Sequence, residues 1–494
     1  MRDIPVLIVS SEIEGFAKTG GLADVSSALP KELRKQGVDA RAIMPMYRTT
    51  RTYIKKMNCH ITTSYDIAVP VGSELKQGKL HECFFNDAMF YFIENDEYFD
   101  RNGIYGEDDR DYPDNLQRFT FFNRAVLEGC KLLNWKPELF HCMDWYTALI
   151  PIYLKTVYLH DLYFTGCTTV FTIHNIAFQG IFYPDEIKIT GLDHTLYSME
   201  KLEFFSKINL MKGAIVYSTL ITTVSRTYAH EIQTSEHGFG LQDVLHERSN
   251  DVHGIVNGID YQLWNPEHDA YLEQDGFTAD SIEKKEECKK ALLRECGLSY
   301  TQGIPLISFI GRFSHQRGID IIIEALPTMI RENVQCIILG TGDSVTEKRL
   351  QCLAEQFPEN ICLRMEFNEG LAHRIIAGSD MFLMPSRFEP CGLTQLYSLR
   401  YGTIPIVHHT GGLVDTVFDY ATKDAQPDTV NGFSFKGFSI HDLLEALQRA
   451  VAVYRNEPEE WKHLMLNSMR HDWSWAASAQ KYIAVYKKAM QKHR

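Results

Sequence analysis

Residues 381–395 read Met381-Phe382-Leu383-Met384-Pro385-Ser386-Arg387-Phe388-Glu389-Pro390-Cys391-Gly392-Leu393-Thr394-Gln395. An apolar run, a short turn and an amphipathic run, in that order, spell a strand end feeding a helix start. Backbone N–H groups at a helix start point at whatever binds there, and a carboxylate held beside them accepts from hydroxyls. Donors for an anion next to an acceptor for hydroxyls suit a phosphorylated sugar.

The same strand–turn–helix pattern recurs along the chain. Short apolar runs rich in β-branched residues occur at Val6–Val9, Ala40–Pro45, Met89–Glu94, Leu139–Cys142, Thr168–His174 and Leu220–Val224. They resume at Leu306–Ile310, Val334–Leu339, Met381–Met384 and Ile404–Val407. Several lack alternation, which marks strands buried on both faces. Helical patterns lie between them, at Asp24–Gln36, Asn115–Leu133, Ile319–Ile330, Leu371–Ala377 and Asp442–Arg455. Alternating strands and helices predict parallel sheets with helices on both sides. The pattern restarts after the charged stretch Glu273–Arg294. Two doubly wound α/β domains follow, with a boundary near residues 245–260 and strand ends expected to face a ligand cleft. The aromatic-rich stretch Tyr91–Tyr112 reads either as a carbohydrate-binding surface or as an insertion packed on the first domain.

With 494 residues the chain needs more than one core, and 45% hydrophobic with 23% charged residues describes a globular protein. Fifty Lys and Arg against 64 Asp and Glu leave a net charge of −14, which builds no field for nucleic acid or an anionic membrane. Local cations still allow a nucleotide ligand. The eleven cysteines are scattered without a C-x₂-C pair, which suits a reducing compartment, and no apolar run reaches the ~18 residues of a membrane span. The apolar run in MRDIPVLIVSSE is too short for a signal peptide. The expected location is the cytoplasm.

Three glycine-rich turns follow strands. Lys18-Thr19-Gly20-Gly21-Leu22 combines two adjacent glycines, a helix start and a cation. Thr410-Gly411-Gly412-Leu413 repeats that arrangement, and Leu339-Gly340-Thr341-Gly342-Asp343 is the third. None has Walker or G-x-G-x-x-G spacing. Arg312 and Arg317 place two guanidiniums five residues apart after a strand, forks that match phosphate oxygens. At two other strand exits stand His141-Cys142-Met143-Asp144-Trp145 and Thr172-Ile173-His174-Asn175. Carboxylate, indole and imidazole are the side chains sugar recognition uses. His141 is open to a structural reading, and His174, in a polar loop, is the better candidate. No H-E-x-x-H, G-x-S-x-G or EF-hand motif occurs, and no two carboxylates can be placed across a bond as a glycosidase requires.

At this point the chain resembles the bacterial glycogen synthases and the plant starch synthases, over nearly its whole length. The resemblance rests on KTGGLADV at 18–25, HxxDW at 141–145, FTIHNIAFQG at 171–180 and TTVSRTYAHEI at 222–232. It continues in GIVNGID at 254–260, PSRFEPCGLTQLYSLRYGTIP at 385–405 and TGGLVDTV at 410–417. It implies a GT-B fold of two Rossmann-like domains facing each other across a cleft. Residues 1–250 would be the acceptor-side domain, 251–475 the donor-side domain, and 476–494 a helix crossing back to the first domain. It implies a glucosyltransferase that extends an α-1,4-glucan from ADP-glucose with retention, through a front-face, ion-pair-like step and without a cofactor or metal. Its partners would be ADP-glucose and glycogen or a maltooligosaccharide, with no nucleic acid and no membrane, and a homo-oligomer is left open.

The resemblance carries roles residue by residue. Lys18, Gly20 and Gly21 would lie near the diphosphate, and Asp144 near the donor glucose or the acceptor. His174 would hold the glucose, with its carbonyl near C1. Arg312 and Arg317 would neutralise the leaving phosphates. Glu389 would bind the glucose 3- and 4-hydroxyls, with Cys391, Gly392 and Leu393 in backbone contact and Thr394 at the helix start by the phosphates. Three positions depart from the family pattern: Arg317 stands for a Lys, Met143 for the second His of HxHDW, and Arg226 for the Pro of VSPTYA. Two alternatives stand beside this reading: a transferase using UDP-glucose or another nucleotide sugar, and a catalytically weak glucan-binding homologue, which the changes at Arg317 and Met143 motivate.

Overall fold

The computed structural model describes residues 4–57, 59–107, 110–272, 276–424 and 427–493. Residues 1–3 of the N-terminal run, 108–109 within Tyr91–Tyr112, 273–275 at the head of the charged stretch and 494 lie outside them. The chain divides into two compact units, 1–255 with 475–494, and 256–474.

The main sheet of unit 1 has nine strands among the described residues: β1 Val6–Val9, β2 Ala40–Pro45, β3 Ile61–Val71, β4 Glu74–Phe85, β5 Ala88–Glu94, β6 Leu139–Met143, β7 Thr168–Ile173, β8 Leu220–Thr223 and β9 Val252–Gly254. Their order is β9-β8-β7-β6-β1-β2-β5-β4-β3. The seven strands from β9 to β5 run parallel. The expectation of a wholly parallel sheet needs correction, because β3 and β4 add an antiparallel hairpin onto β5. That hairpin lies at an edge, so its outer halves stay solvated: of the first six residues of β3 five are exposed and Tyr65 is half-buried. The central strands β1, β6 and β7 are buried on both faces: β1 and β7 are unbroken apolar or β-branched runs, and in β6 the one polar residue, His141, has both ring nitrogens hydrogen-bonded.

Three helices of this unit matter for function: α1 Gly21–Lys35, α2 Asn115–Cys130 and α3 Arg226–Glu231. In α1 the residues Leu22, Val25, Leu29 and Leu33 turn one apolar face onto the sheet. The C-terminal helix, Trp475–His493, buries Ala479, Tyr482, Tyr486 and Ala489. It is tied into unit 1 by the Gln36 amide on the Ala476 carbonyl (2.9 Å) and by Tyr486 Oη against His141 Nδ1 (2.8 Å).

Unit 2 holds six parallel strands: β10 Leu306–Ile310, β11 Gln335–Leu339, β12 Ile361–Arg364, β13 Met381–Met384, β14 Ile404–His408 and β15 Phe433–Phe435. Their order is β12-β11-β10-β13-β14-β15, a doubly wound sheet. Helix α4, Ile319–Arg331, follows β10, and α5, Thr394–Arg400, follows β13. Ile322, Leu326 and Met329 of α4 pack with Ile307, Phe309, Ile338 and Leu383 in the core.

In both sheets the strand order reverses beside the first strand, between β1 and β6 and between β10 and β13. Helices leave to opposite faces there, which opens a crevice at the carboxyl strand ends. No described helix is long and apolar enough to cross a membrane.

Candidate active site

The residues singled out from sequence collect at these two switch points. In unit 1, Lys18, Gly20 and Gly21 leave β1, Asp144 leaves β6 and His174 leaves β7, three strands that are neighbours in the sheet. In unit 2, Arg312 and Arg317 leave β10, while Glu389, Cys391, Gly392, Leu393 and Thr394 lie between β13 and α5.

Asp144 is 8% exposed and sits at φ 55°, ψ 179°, a conformation glycine adopts readily and other residues adopt at a cost of about 1–3 kcal/mol. The turn aims its carboxylate at the neighbouring strand exit, where Oδ1 accepts the His174 backbone N–H at 2.8 Å. Burial pushes its pKa up to about 7, against the pull of the His174 and Asn175 amides. His174 is held neutral, since burial lowers its pKa to about 3. Its Nε2 is buried without a hydrogen-bond partner. A buried polar atom left unpaired is costly, and a ligand hydroxyl would satisfy it.

His141 resolves as a structural residue. Its ring is fully buried, with Nδ1 on Tyr486 Oη and Nε2 2.5 Å from Thr172 Oγ1. Met143 is also fully buried, and the Ser26 hydroxyl lies 3.2 Å from its sulfur. A thioether therefore occupies the second imidazole's position beneath α1, and the neighbouring Asp144 keeps its contact to His174. Trp145 is not a platform for a sugar ring. It is buried against Phe119 and Phe182, and a Cβ on Gly180 would come within 2.4 Å of its ring.

The Lys18 loop contains a residue that sequence reading missed. The Glu12 carboxylate, 2% exposed, accepts from Thr19 N (2.5 Å), Gly20 N (3.3 Å), Thr19 Oγ1 (2.6 Å) and Tyr105 Oη (2.5 Å). An internal carboxylate thus holds two of the loop amides and fixes its shape. The first turn of α1 has no side-chain cap, and nothing lies within 4 Å of where a Cβ on Gly20 would be. Open space against an uncapped helix start suits an anion. Lys18 is paired with Glu14 (2.5 Å) and Asp24 (2.9 Å). Burial opposes its charge, but the two carboxylates outweigh that and raise its pKa, while burial lifts Asp24 to about 6.

In unit 2 the β10 and β13 exits are sewn together. Arg387 donates to Asp320 (2.9 and 2.6 Å) and to the His315 carbonyl, and its own N–H reaches the Gln316 carbonyl at 2.9 Å. Gly318, at φ 70°, is required because a Cβ there would stand 2.0 Å from the Pro385 carbonyl oxygen. This frame brings Arg317 onto the buried carboxylate of Glu389, which also accepts from Ser386 Oγ at 3.1 Å. Arg312 is exposed and forms no ion pair among the described residues. Cys391 is buried, which pushes its thiol pKa up to about 12 although the Asn257 backbone N–H donates to it. The nearby Asn257 Oδ1 is buried without a partner, a second candidate that sequence reading missed.

The second Gly-Gly turn is not an anion site. Gly412 donates its N–H to the Glu389 carbonyl at 2.9 Å, and a Cβ on it would meet the Cys391 carbonyl oxygen at 2.2 Å. It is glycine because the Glu389 turn packs against it.

Known proteins share this architecture. The model for the starch synthase catalytic domain matches residues 5–247, and that for glycosyl transferases group 1 matches residues 301–463. A glycogen synthase of Syntrophotalea carbinolica is 43% identical over 99% of this chain and 99% of its own length. Glycogen synthase 2 of Geobacter metallireducens is 44% identical over 98% of both. The catalytic domain of starch synthase IV from Arabidopsis thaliana, solved bound to ADP and acarbose, superposes with a TM-score of 0.88 at 32% identity, covering 99% of this chain and 100% of that one. A sucrose-phosphate synthase from Thermosynechococcus elongatus shares the fold alone, with a TM-score of 0.60 at 14% identity over 98% of each chain. With two Rossmann-like units and near full-length identity above 40%, the chain belongs to the glycogen and starch synthase family of GT-B glycosyltransferases.

Proposed function

We propose that the protein is an active glucosyltransferase that moves glucose from ADP-glucose to the non-reducing end of an α-1,4-glucan with retention of configuration. The observation that carries the reading is the buried, partnerless Nε2 of His174, in a residue whose own backbone N–H is fixed by Asp144. A neutral imidazole held in this way recognises a hydroxyl rather than a charge. Glu389, buried beside Ser386 and Arg317, supplies the acceptor for further sugar hydroxyls.

In the proposed step the bond from C1 to the ADP oxygen breaks, and C1 bonds to the acceptor hydroxyl oxygen on the same face. The acceptor proton passes to the departing phosphate oxygen. Negative charge grows on ADP, where Arg312 and Arg317 of unit 2 would meet it. Donors already in place need little reorientation, and one is worth roughly 3 kcal/mol in a transition state. ADP as the nucleotide is supported by the Arabidopsis relative, which was solved with ADP and acarbose. The eleven cysteines are free thiols, which suits the cytoplasm.

Incorporation of labelled glucose into glycogen tests the reading, with ADP-glucose and UDP-glucose compared. Faster transfer from ADP-glucose supports it. Transfer from UDP-glucose alone overturns the donor assignment, and no transfer from either overturns the activity.

A further inference from the structure

Unit 1 contains a cavity of about 330 Å³ at the β8–β9 edge of its sheet. It is lined by Arg226, His230 and Gln233, by Ser249, and by Val252, His253 and Gly254 of the edge strand β9. Arg226, His230 and Gln233 recur at i, i+4 and i+7, so α3 and the turn that follows it present them on one side. Gly254 holds the opposite wall against them: a Cβ there would stand 2.1 Å from the Ser225 carbonyl oxygen and 2.5 Å from Arg226 Cα. The walls are therefore packed backbone, which fixes the spacing of the groups they carry.

The charge in this cavity is one-sided. Arg226 and His230 are exposed and form no ion pair among the described residues. Lys488, from the C-terminal helix, stands 3.0 Å from His253 Nε2 and donates to the Asn250 carbonyl at 3.2 Å. None of the lining residues is a carboxylate: Asp251, beside Val252, is paired with Arg248 (2.9 Å) and Lys492 (2.5 Å), and Glu231, beside His230, is half-buried and not among the lining residues. In a chain of net charge −14, a concave site lined by a guanidinium and two imidazoles, with an ammonium next to one of them, is an exception. Arg226 is also the residue that stands where the family pattern has a proline.

We propose that this cavity binds a phosphate monoester carried on a small polyhydroxylated body. The guanidinium fork of Arg226 fits the phosphate oxygens, with Lys488 and His230 beside it. Gln233 and Ser249 supply the hydrogen-bonding groups for hydroxyls, and a few hundred Å³ suits a ligand of this size. The lining shares no residue with those assigned to the donor, so the proposal does not depend on the donor's identity.

Calorimetric titration of the full-length protein with glucose 6-phosphate tests the proposal, with glucose and inorganic phosphate as comparison ligands. One saturable site is expected, with glucose silent and inorganic phosphate weaker by about tenfold. Arg226→Ala and His230→Ala should each weaken glucose 6-phosphate by about tenfold or more, the loss of one charged hydrogen bond. Both positions are exposed, and an unchanged Tm checks the fold of each variant. Arg312→Ala, on the donor side, should leave this affinity within about twofold. No saturable binding up to millimolar concentration, or binding that survives Arg226→Ala and His230→Ala but falls in Arg312→Ala, overturns the site. Equal affinity for inorganic phosphate overturns the role given to Gln233 and Ser249.

Discussion

The guanidinium of Arg317 is paired with the carboxylate of Glu389, joining the loop that leaves β10 to the turn that leaves β13. The proposed roles of the two residues are opposite, one toward phosphate and one toward sugar hydroxyls, so each occupies the other when neither ligand is engaged. The pairing gives the departure at 317 a physical meaning, because a planar fork reaches a carboxylate in ways a lysine ammonium does not.

Removing Glu389 should therefore separate nucleotide binding from transfer. Glu389→Ala releases Arg317, and ADP affinity should rise by up to about fivefold, the worth of a partly exposed ion pair. Glucosyl transfer should fall by at least about a hundredfold, since the sugar loses a buried acceptor. Arg317→Ala should weaken ADP instead, and Arg317→Lys should keep most of the transfer rate. Calorimetry with ADP and initial rates check all three. A Glu389→Ala variant that binds ADP more weakly would contradict the pairing argument.

Asp144 makes stability depend on pH. Its folded pKa, near 7, lies above the ordinary 3.8 because burial penalises the charge. The folded state then holds the proton more tightly than the unfolded state does. This contribution is fully present below about pH 4 and is lost as pH rises through 7, a span worth a few kcal/mol. Asp144→Asn should flatten that loss. Urea denaturation between pH 4.5 and 8 should show the wild type falling relative to the variant, and parallel curves would contradict the burial argument.

The two Gly-Gly turns look alike in sequence and should respond differently to alanine. Gly412→Ala drives a Cβ to 2.2 Å from the Cys391 carbonyl oxygen, so a loss of more than about 2 kcal/mol is expected. Gly20 has an extended φ of −160° and open space at its Cβ position. Gly20→Ala should change stability by less than about 1 kcal/mol and act on the donor KM. Thermal unfolding and kinetics of the two variants separate the roles, and equal destabilisation would show that both turns are packing devices.

This contrast also shows where sequence reading stopped. Val6–Val9, Leu306–Ile310 and Met381–Met384 were legible to the residue, because strands buried on both faces leave unbroken apolar runs. The hairpin of β3 and β4 left no such signal, since edge strands such as Ile61–Val71 are half solvated and carry Thr, Ser and Asp among their apolar residues. Motifs brought Asp144, His174 and Glu389 to the strand exits, but a motif does not report what a side chain touches. Glu12 lies seven residues before Thr19, and its role exists only because the loop folds back over it. Gly412 and Gly20 differ only through neighbours that are distant in sequence. Trp145 has the residue type of a sugar platform and is instead covered by Gly180.

The most direct test of the whole account is the anomeric form of the new bond. Proton NMR should follow a mixture of the protein, ADP-glucose and maltohexaose, with the C1 proton of the transferred glucose observed as it forms. Retention at C1, with ADP released in step, is the predicted result: an α-1,4 signal that grows from the first turnover. A β signal, or free glucose without chain extension, would contradict it.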